Sequence, residues 1–583
     1  MNVLFLNPPT IPYNVLVGSL NNPKTRFSQF IAMPMGILYL GAVIQKSLPD
    51  ANIDVVDLAK TLRECNNINN REVISVKEFC RKTLKKSFVE SYQPTIIGIS
   101  IMFSTAHKTC MDLALVCKEI WPKTPIVIGG MHATSAVDSI LENKAVDYVC
   151  MGEAESIMVE MAQKANQGKP LDTIQGIVSR LKLANSKMNN SALLTSPLID
   201  NLDEIPLPAW DLIPMSEYIS SGRARRMDEI SHDYAATIVT NRGCPFKCTF
   251  CATATVHGRK MRYRSTENVI KELEILEEKY GVDLIAVEDD MFTIKKPRFI
   301  ELCNAIHERF KDRLEFQVPN GLSVSTLDED VIDALIKVGI SVANVAIESG
   351  SEYTQRHIIK KNCNLERAKK VTKLFHDKGV ITRTYFIIGF PGETRELINE
   401  SLDYAASLQI DWVNIGIAAP LIGTEMYSQL LERGDIDTSF NWDNAFFQER
   451  SFDTEEVGAQ ELKDIMQRAN LKINFFENYN IRNENWDRAL TLFLEIIENY
   501  PLHLACLYCL AICYRGKGDE ASAEKYINKC HKLILNESIN DMARLHMRLA
   551  PDAFPQDFHK LIQQNNKYEE RQVIYAGGFW EPQ

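Results

Sequence analysis

The stretch Gly243-Cys-Pro-Phe-Lys-Cys-Thr-Phe-Cys251 places three cysteines, Cys244, Cys248 and Cys251, at spacings of three and two intervening residues. Cysteine thiolates are the usual ligands of iron–sulfur clusters, and three of them can hold three irons of a 4Fe-4S cube. The fourth iron is then open to a chelating molecule from outside the protein. The sequence therefore predicts a cluster that takes part in chemistry rather than one that only carries electrons.

Other uses of these cysteines are weaker alternatives. A structural zinc site needs a fourth Cys or His, for which His257 is the nearest downstream candidate. Buried cysteines without a ligand are also an alternative. Disulfides are not favoured, because the 14 cysteines are scattered over 583 residues and the N-terminus lacks the basic start of a secretory signal.

The cysteine spacing, with Phe250 directly before the last cysteine, resembles the signature of the radical S-adenosylmethionine (SAM) superfamily. The resemblance implies that the amino and carboxylate groups of SAM chelate the open iron, with Phe250 beside them. It also implies that one electron from the cluster splits SAM to give a 5'-deoxyadenosyl radical. A low-potential donor such as flavodoxin or ferredoxin would supply that electron.

Charge and composition narrow the choice of partners. The net charge of −11 argues against nucleic acid, because phosphate backbones bind clustered Lys and Arg. One dense basic run, Arg259-Lys-Met-Arg262-Tyr-Arg264, follows the cysteines. It is either a solvated loop or a source of positive charge beside a cluster and an anionic ligand. No apolar stretch reaches the roughly 20 residues that cross a bilayer. Because the N-terminus does not resemble a secretory signal and disulfides are not favoured, we expect a cytoplasmic protein.

Residues 1–190 alternate short β-rich runs with helical stretches, which indicates a doubly wound, Rossmann-like parallel sheet. The predicted strands are Val3–Leu6, Ile53–Val56, Ile96–Ser100, Ile126–Ile128 and Tyr148–Met151, and two of the helices are Leu38–Ser47 and Cys110–Ile120. Ligands of such sheets bind beyond the carboxyl ends of the strands. Glycines at those ends allow the backbone to approach a bulky ligand closely.

This segment resembles the cobalamin-binding domain that precedes the barrel in one large branch of the superfamily. The resembling pieces are Pro34–Gly41, Gly98–Ser100, Gly129–His132 and Asp147–Glu153. The Asp-x-His-x-x-Gly motif that supplies a histidine to cobalt is absent, so we expect cobalamin without a histidine below the metal. A degenerate domain that binds nothing is the alternative, and His132 is either a ligand-lining or a turn residue. The residues that the resemblance places at cobalamin are Asn7, Pro8, Ser100, Gly129, Gly130, His132, Gly152, Glu153 and Glu155.

A proline-rich linker is predicted for residues 191–232, and a partial (β/α)6 barrel for residues 233–430. The predicted barrel strands are Ala236–Asn241, Leu284–Glu288, Glu315–Val318, Val342–Ile347, Thr382–Ile388 and Trp412–Ala418. Polar residues follow several of these strands, and the resemblance implies that they contact SAM. They are Glu288, Asp289, Asp290, Asn320, Glu348, Ser349 and Gly389. A carboxylate suits the SAM ammonium by charge and by hydrogen bonding, although acidic residues at strand ends are often helix caps.

Residues 431–583 are predicted to be helical, with a tetratricopeptide-like repeat over about 470–537. One repeat and part of another are too few for an independent solenoid, so this region packs on the barrel or binds a protein partner. Cys506, Cys509 and Cys513 fall on one helical stripe, with Cys530 further along the chain. This spacing indicates core packing rather than a second cluster.

Together these features predict a cobalamin-dependent radical SAM enzyme, with a 4Fe-4S cluster, SAM and cobalamin as cofactors. The resemblance implies methylation of an unactivated carbon of a small-molecule or natural-product substrate, with one SAM as methyl donor and another as radical source. The cofactors supply the difficult chemistry, and the protein orients them. A radical cyclase or rearrangement enzyme with the same cofactors is the alternative among enzymes, as in the anaerobic magnesium-protoporphyrin cyclase branch. A cobalamin or redox sensor is the non-enzymatic alternative.

Overall fold

The computed structural model describes residues 1–21, 32–66, 72–189, 191–219, 234–444, 447–536, 541–564, 574–576 and 579–581. These residues form two compact units. The first unit contains residues 1–219, 234–316 and 419–444, and the second contains residues 317–418 and those from 447 onward. Most of the predicted linker from 220 to 232 lies outside the described residues.

The strands and helices are numbered in chain order. The strands are β1 Asn2–Asn7, β2 Asn52–Asp57, β3 Ile96–Ser100, β4 Ile126–Gly129, β5 Tyr148–Cys150, β6 Ile177–Ser179, β7 Ala235–Ile238, β8 Asn241–Arg242, β9 Arg262–Tyr263, β10 Leu284–Val287, β11 Glu315–Gln317, β12 Leu322–Ser323, β13 Val342–Glu348, β14 Ile381–Ile388, β15 Trp412–Ile417, β16 Ile574–Ala576 and β17 Phe579–Glu581. The helices are α1 Tyr13–Asn21, α2 Met35–Ser47, α3 Leu58–Asn66, α4 Val76–Ser87, α5 His107–Ile120, α6 Met131–Ser135, α7 Val137–Glu142, α8 Met158–Asn166, α9 Arg180–Met188, α10 Met215–Ile219, α11 Thr253–His257, α12 Thr266–Tyr280, α13 Lys296–Phe310, α14 Glu329–Lys337, α15 Leu365–Asp377, α16 Arg395–Ser407, α17 Glu425–Arg433, α18 Ala459–Asn470, α19 Tyr479–Arg482, α20 Trp486–Asn499, α21 Leu504–Gly516, α22 Glu520–Leu535, α23 Asp541–Leu549 and α24 Gln556–Gln564.

The first unit is built around a six-stranded sheet in the order β2-β1-β3-β4-β5-β6. The first five strands are parallel, and β6 joins the edge antiparallel to β5. Successive residues of β1 pack on opposite faces of the sheet, with Leu4 and Leu6 in one core and Val3 and Phe5 in another. Helices therefore cover both faces, as parallel sheets require. The five predicted strands are confirmed, whereas β6 was not predicted.

The strand order has a functional consequence. The chain leaves β1 towards β2 on one side and returns to β3 on the other. This reversal is the topological switch point, where ligands of open α/β sheets bind. The segment after β1 and the segment after β3 contact each other at this point, because the Thr105 hydroxyl donates to the Thr10 carbonyl at 2.7 Å.

The same unit contains a second sheet in the order β11-β10-β7, in which β10 and β7 are parallel. The antiparallel pair β8–β9 brackets the cysteine segment, because β8 ends at Arg242 and β9 begins at Arg262. The three cysteines therefore lie in a loop that is closed at both ends by strand pairing.

The second unit contains the four-stranded sheet β12-β13-β14-β15, whose neighbours pair in parallel. The six predicted barrel strands coincide with β7, β10, β11, β13, β14 and β15 to within a few residues at each end. The strands of the segment 233–430 belong to separate sheets in the two units, so the partial (β/α)6 barrel and the bounds of the four predicted domains stay predictions.

Helices α18 to α24 complete the second unit. They are attached to its sheet by side chains, because the Asn474 amide exchanges two hydrogen bonds with the Val413 backbone, at 2.7 and 2.8 Å. Arg488 adds a bidentate pair with Asp411, beside β15. The predicted helical C-terminal region is confirmed for these helices. The tetratricopeptide register stays a prediction. Among the described residues, no helix combines the length and apolar character that a bilayer span needs.

Candidate functional site

Backbone hydrogen bonds fix the shape of the cysteine loop. The Gly243 N–H donates to Asp290 Oδ2 at 2.9 Å, and the Cys244 N–H donates to the Gly258 carbonyl at 3.2 Å. Gly243 has a φ of +100°, and a Cβ there would lie 2.4 Å from the Lys260 carbonyl oxygen. Only glycine fits this conformation and this space. Glycine therefore allows the loop to begin against the segment that closes it.

The three thiols are more accessible than most cysteines in the chain. Ten of the 14 cysteines are buried, whereas Cys244 and Cys248 are half-buried and Cys251 is exposed. Burial raises the pKa of the Cys244 thiol, and the charges of Cys251 and Asp290 add to the rise. Within the described ranges, no three His, Cys, Asp or Glu side chains converge as a metal ion would require. The donor set available to a cluster is thus three thiols on a preformed loop, open to the outside.

The acidic run after β10 supports this loop. Both oxygens of Asp289 are buried, and they accept hydrogen bonds from the backbone N–H groups and side chains of Thr240 and Asn241. Burial raises the pKa of Asp289 to about 6, in spite of these hydrogen bonds. Asp290 holds Gly243, as described above. Asp289 and Asp290, which were predicted to contact SAM, thus have carboxylates that already bind the start of the cysteine loop. Glu288, the first residue of the acidic run, directly follows β10.

Two arginines of the basic run after the cysteines are buried, whereas Arg259 and Lys260 are exposed. Arg262 is 2% exposed and Arg264 5% exposed. Arg262 forms a bidentate pair with Glu153, at 2.6 and 2.7 Å, and Arg264 binds Glu272. The interpretation of this run as a solvated loop is therefore wrong for these two arginines, because each has a buried carboxylate partner.

Glu153 and Glu155, both predicted at cobalamin, hold the cysteine segment. Besides Arg262, the Glu153 carboxylate contacts His257 Nδ1 at 2.8 Å and Arg242 at 3.5 Å. Arg242 also donates to Glu155 at 2.7 Å. Although burial opposes ionisation, the hydrogen bonds from Arg262 and His257 lower the pKa of Glu153 to about 2. Glu153 is therefore a charged, buried group with cationic partners.

The remaining residues predicted at cobalamin lie along the carboxyl edge of the six-stranded sheet. Asn7 ends β1, with its side chain on Asp57. Gly130 has a φ of +108°, and a Cβ there would lie 2.4 Å from the Ile101 carbonyl oxygen. Gly130 is thus required by the packing of the chain itself, whatever ligand binds nearby. The other members follow or end their strands as predicted: Pro8, Ser100, Gly129 and Gly152.

His132 lies in a chain of hydrogen bonds beside that edge. Its Nδ1 is 2.9 Å from the Ser104 hydroxyl, and its Nε2 is 3.0 Å from Nδ1 of His107. The Trp442 ring contacts His132 edge to face at 5.4 Å. Burial lowers the pKa of His107 to about 4 and that of His132 to about 3, so both rings are neutral at pH 7. Both nitrogens of His132 are thus engaged by protein side chains.

Two exposed apolar side chains follow β3 at the switch point. Met102 is 50% exposed and Phe103 is 46% exposed. Neither was predicted from the sequence. Together they provide an apolar surface where the strand order places a ligand.

The second unit holds the other residues predicted at SAM. Glu348 ends β13 with a φ of +72°, which is uncommon for a residue with a side chain, and it accepts from Lys361 at 2.9 Å. Ser349 is buried, with its hydroxyl 2.7 Å from that of Ser401. The Gly389 N–H donates to Glu393 at 2.7 Å. Asn320 follows β11. Their contact with SAM stays a prediction.

The C-terminal cysteines pack in the helical core, as predicted. Cys506, Cys509, Cys513 and Cys530 are each 0% exposed and belong to one apolar cluster. Burial raises the pKa of Cys513 and that of Cys530 to about 12. These thiols are therefore protonated, apolar packing groups.

Two known protein families match this chain, one over the carboxyl edge of the six-stranded sheet and the other over the cysteine loop. The B12 binding domain family matches residues 29–162, and the Radical SAM superfamily matches residues 238–405. The chain combines a B12-binding domain with a radical SAM domain. The cofactors of these families are a 4Fe-4S cluster, SAM and cobalamin, as expected from the sequence. The cysteine loop lies inside the radical SAM match, and the carboxyl edge from β3 to β5 lies inside the B12 match.

Related proteins include methyltransferases and a cyclase. An uncharacterized methyltransferase of Pyrococcus horikoshii is 29% identical over 76% of this chain and 85% of its own length. Cytidylyl-2-hydroxyethylphosphonate methyltransferase of Streptomyces wedmorensis is 26% identical over 74% and 86%. Anaerobic magnesium-protoporphyrin IX monomethyl ester cyclase of Rubrivivax gelatinosus is 24% identical over 60% of each chain.

A solved structure shares the fold. The cobalamin-dependent SAM radical enzyme OxsB, with aqua-cobalamin and SAM bound, aligns over 97% of this chain and 83% of its own, with a TM-score of 0.58 and 15% identity. The likeness supports the α/β architecture with its helical C-terminal region.

Sequence reasoning missed several residues around the radical SAM motif. Arg242 directly precedes Gly243, yet its partners Glu153 and Glu155 lie far away in the sequence. Near the carboxyl edge of the six-stranded sheet, Ser104 and Trp442 were not assigned, and His107 was named only as an alternative histidine to His132. No local pattern marks such pairings, because they depend on which segments the fold brings together.

Proposed function

We propose that this protein is a cobalamin-dependent radical SAM methyltransferase that methylates an unactivated carbon of a small molecule. The observation that carries the proposal is a loop of three accessible cysteines held beside the carboxyl edge of a B12-binding sheet within one compact unit. Relatives support the proposal as well. Of the relatives named above, the two whose alignments cover the largest share of this chain are methyltransferases.

In this proposal Cys244, Cys248 and Cys251 hold the cluster. The donor set fits, because the structure leaves these thiols accessible on a loop whose backbone is fixed at Gly243 and Cys244. With SAM and cobalamin bound, the cofactors supply a radical that removes hydrogen and a methyl group that replaces it. The protein holds the loop in shape through Asp289 and Asp290, and Glu288 is the acidic residue that we place at the SAM ammonium.

We place cobalamin at the switch point of the six-stranded sheet. Met102 and Phe103 offer apolar contact for the corrin, and Ser100 and Gly129 line the same edge. The neutral Ser104–His132–His107 chain lies next to these residues. Because both nitrogens of His132 are engaged, we propose that His132 supports this edge rather than ligating cobalt.

The stoichiometry of the products tests methyl transfer. A methyltransferase of this kind uses one SAM as methyl donor and one as radical source. S-adenosylhomocysteine and 5'-deoxyadenosine should therefore form in about equal amounts, with a labelled SAM methyl group in the product. Liquid chromatography with mass spectrometry on anaerobic reactions measures all three. 5'-Deoxyadenosine alone, formed with the natural substrate present, would contradict the proposal.

A radical cyclase or rearrangement enzyme is the second candidate, because the cyclase of Rubrivivax gelatinosus is also a relative. Such an enzyme needs only the radical, so it would give 5'-deoxyadenosine without S-adenosylhomocysteine. The same experiment therefore separates the two candidates.

The electron paramagnetic resonance spectrum of bound cob(II)alamin tests how cobalt is coordinated. We expect no nitrogen superhyperfine splitting from a protein ligand, because the Asp-x-His-x-x-Gly motif is absent and His132 is engaged on both sides. The His132→Ala and His107→Ala proteins serve as comparisons. A nitrogen splitting in the unmodified protein that disappears in either variant would refute this expectation.

We also propose a flavodoxin or ferredoxin as electron donor, and a protein partner for the C-terminal helices α20 to α22. Both rest on the resemblance and on the helical repeat pattern.

A further inference from the structure

The strongest unassigned feature is the buried charge cluster around Glu153. This carboxylate lies directly after Gly152, at the end of β5, and its side chain is 1% exposed. Its three cationic or polar partners, Arg242, His257 and Arg262, all belong to the segment that carries the cysteines. One carboxylate of the B12-binding sheet thus holds both sides of the cysteine loop.

The contacts leave little freedom for this arrangement. Arg262 donates to both oxygens of Glu153 and also to the carbonyls of Ile199 and His257, each at 2.9 Å. A bidentate arginine pair fixes orientation as well as distance. The backbone carbonyl of Glu153 in turn accepts from the Ser196 hydroxyl. A movement of this loop would therefore be transmitted to the cysteine segment.

Arg242 brings the cluster of charges next to the first cysteine. It precedes Gly243-Cys244 in the chain, donates to Glu155 at 2.7 Å and lies over the Tyr39 ring at 5.3 Å. Two carboxylates of the B12-binding segment therefore neutralise the arginines on the two sides of the loop. Buried charges are tolerated only when they are paired in this way.

We propose that Glu153 is a positioning residue that couples the cobalamin site to the cluster site, so that occupancy of one changes the affinity of the other. This inference rests on the proposed cofactor sites. Coupling between two sites is reciprocal, so cobalamin binding and cluster assembly favour each other by the same factor. The Glu153 carboxylate carries this coupling, because it joins the carboxyl edge of the sheet, where we propose that cobalamin binds, to the cysteine segment.

The test is cobalamin affinity, measured by absorbance titration with hydroxocobalamin. The protein is compared before and after anaerobic reconstitution of the cluster. In the unmodified protein, reconstitution should tighten cobalamin binding by about fivefold or more, the lower end of typical coupling. In Glu153→Gln, which keeps the shape but removes the charge, the difference between the two affinities should shrink, because the Arg242 pair with Glu155 is the charged link that remains.

A second readout is the midpoint potential of the cluster, followed by electron paramagnetic resonance. Removing a negative charge beside the arginines should raise this potential in Glu153→Gln, because net charge near a cluster sets its potential. A purely structural role would not move it in this direction.

Asp200→Asn is the matched control. Asp200 also pairs with the cysteine segment, through Lys260 at 2.7 Å, but both partners are exposed. This variant should keep the coupling and the potential of the unmodified protein. If Glu153→Gln does not fold, Arg242→Gln tests the same coupling, because it removes one of the two arginines that Glu153 contacts while the Arg262 pair keeps the loop attached. The coupling should then weaken, and the potential should fall rather than rise, because a positive charge is lost.

Two results would overturn the inference. One is equal cobalamin affinity of the unmodified protein with and without its cluster, and the other is unchanged coupling in Glu153→Gln. Failure of the unmodified protein to bind either cofactor would instead contradict the proposed function, so the two failures are distinguishable.

Discussion

Replacing any one of Cys244, Cys248 and Cys251 by alanine is expected to abolish SAM cleavage. Each thiol would hold one iron of the cube, so the loss of any one thiol removes a ligand that the cluster needs. The measurement is formation of 5'-deoxyadenosine by anaerobically reconstituted protein, together with iron analysis. The unmodified protein should contain about four irons, and the triple alanine variant should contain none.

Cys65→Ala is the control for this prediction, because Cys65 is the other cysteine that is not buried. It should retain both iron and SAM cleavage. A triple alanine variant that still bound a cluster and cleaved SAM would contradict the prediction. The candidate cluster ligands would then be the C-terminal cysteines Cys506, Cys509, Cys513 and Cys530.

Asp289→Asn is expected to lower the free energy of unfolding by about 3 kcal/mol or more, and to reduce iron uptake with it. The asparagine would turn an amide N–H₂ towards donors that now meet a carboxylate oxygen, which leaves buried groups unsatisfied. Chemical denaturation measures the first effect, and iron analysis after reconstitution measures the second. Asp289 thus acts on the cluster through the backbone of Thr240 and Asn241.

Asp283→Asn provides the comparison, because Asp283 lies just before the other end of β10 and its carboxylate accepts a long, exposed hydrogen bond from the Tyr234 N–H, at 3.3 Å. It should change stability little. If Asp289→Asn instead weakened SAM binding while stability and iron content were unchanged, the sequence-based placement of Asp289 at SAM would be right.

The strands could be predicted because their signal is local. β1 and β3 are short apolar runs bounded by turn residues, and such runs mark buried parallel strands. The buried stripe of Cys506, Cys509 and Cys513 followed from helical spacing in the same way. The edge strand β6, Ile177–Ser179, was missed because only two successive apolar residues mark it, Ile177 and Val178, whereas four mark β5, from Tyr148 to Met151.

The partners of the site residues could not be predicted, because they depend on contacts between distant segments. The family resemblance and their positions after predicted strands placed Glu153 and Asp289 at a cofactor. In the structure their carboxylates bind Arg262 and Asn241, which are far away in the sequence. A buried acid and a ligand-binding acid have the same letter in a sequence, and only the fold identifies the donor that meets each one.

The attachment of the cysteine segment to Glu153 also restricts how these modules can be recombined. A chimera that keeps the cysteine segment of this chain but takes a B12-binding sheet without carboxylates at these two positions would separate Arg242 and Arg262 from the groups that neutralise them. Such a hybrid would bury unpaired guanidinium groups beside its cysteines. Chimeric proteins should therefore take the loop after β5 and the cysteine segment from the same parent protein.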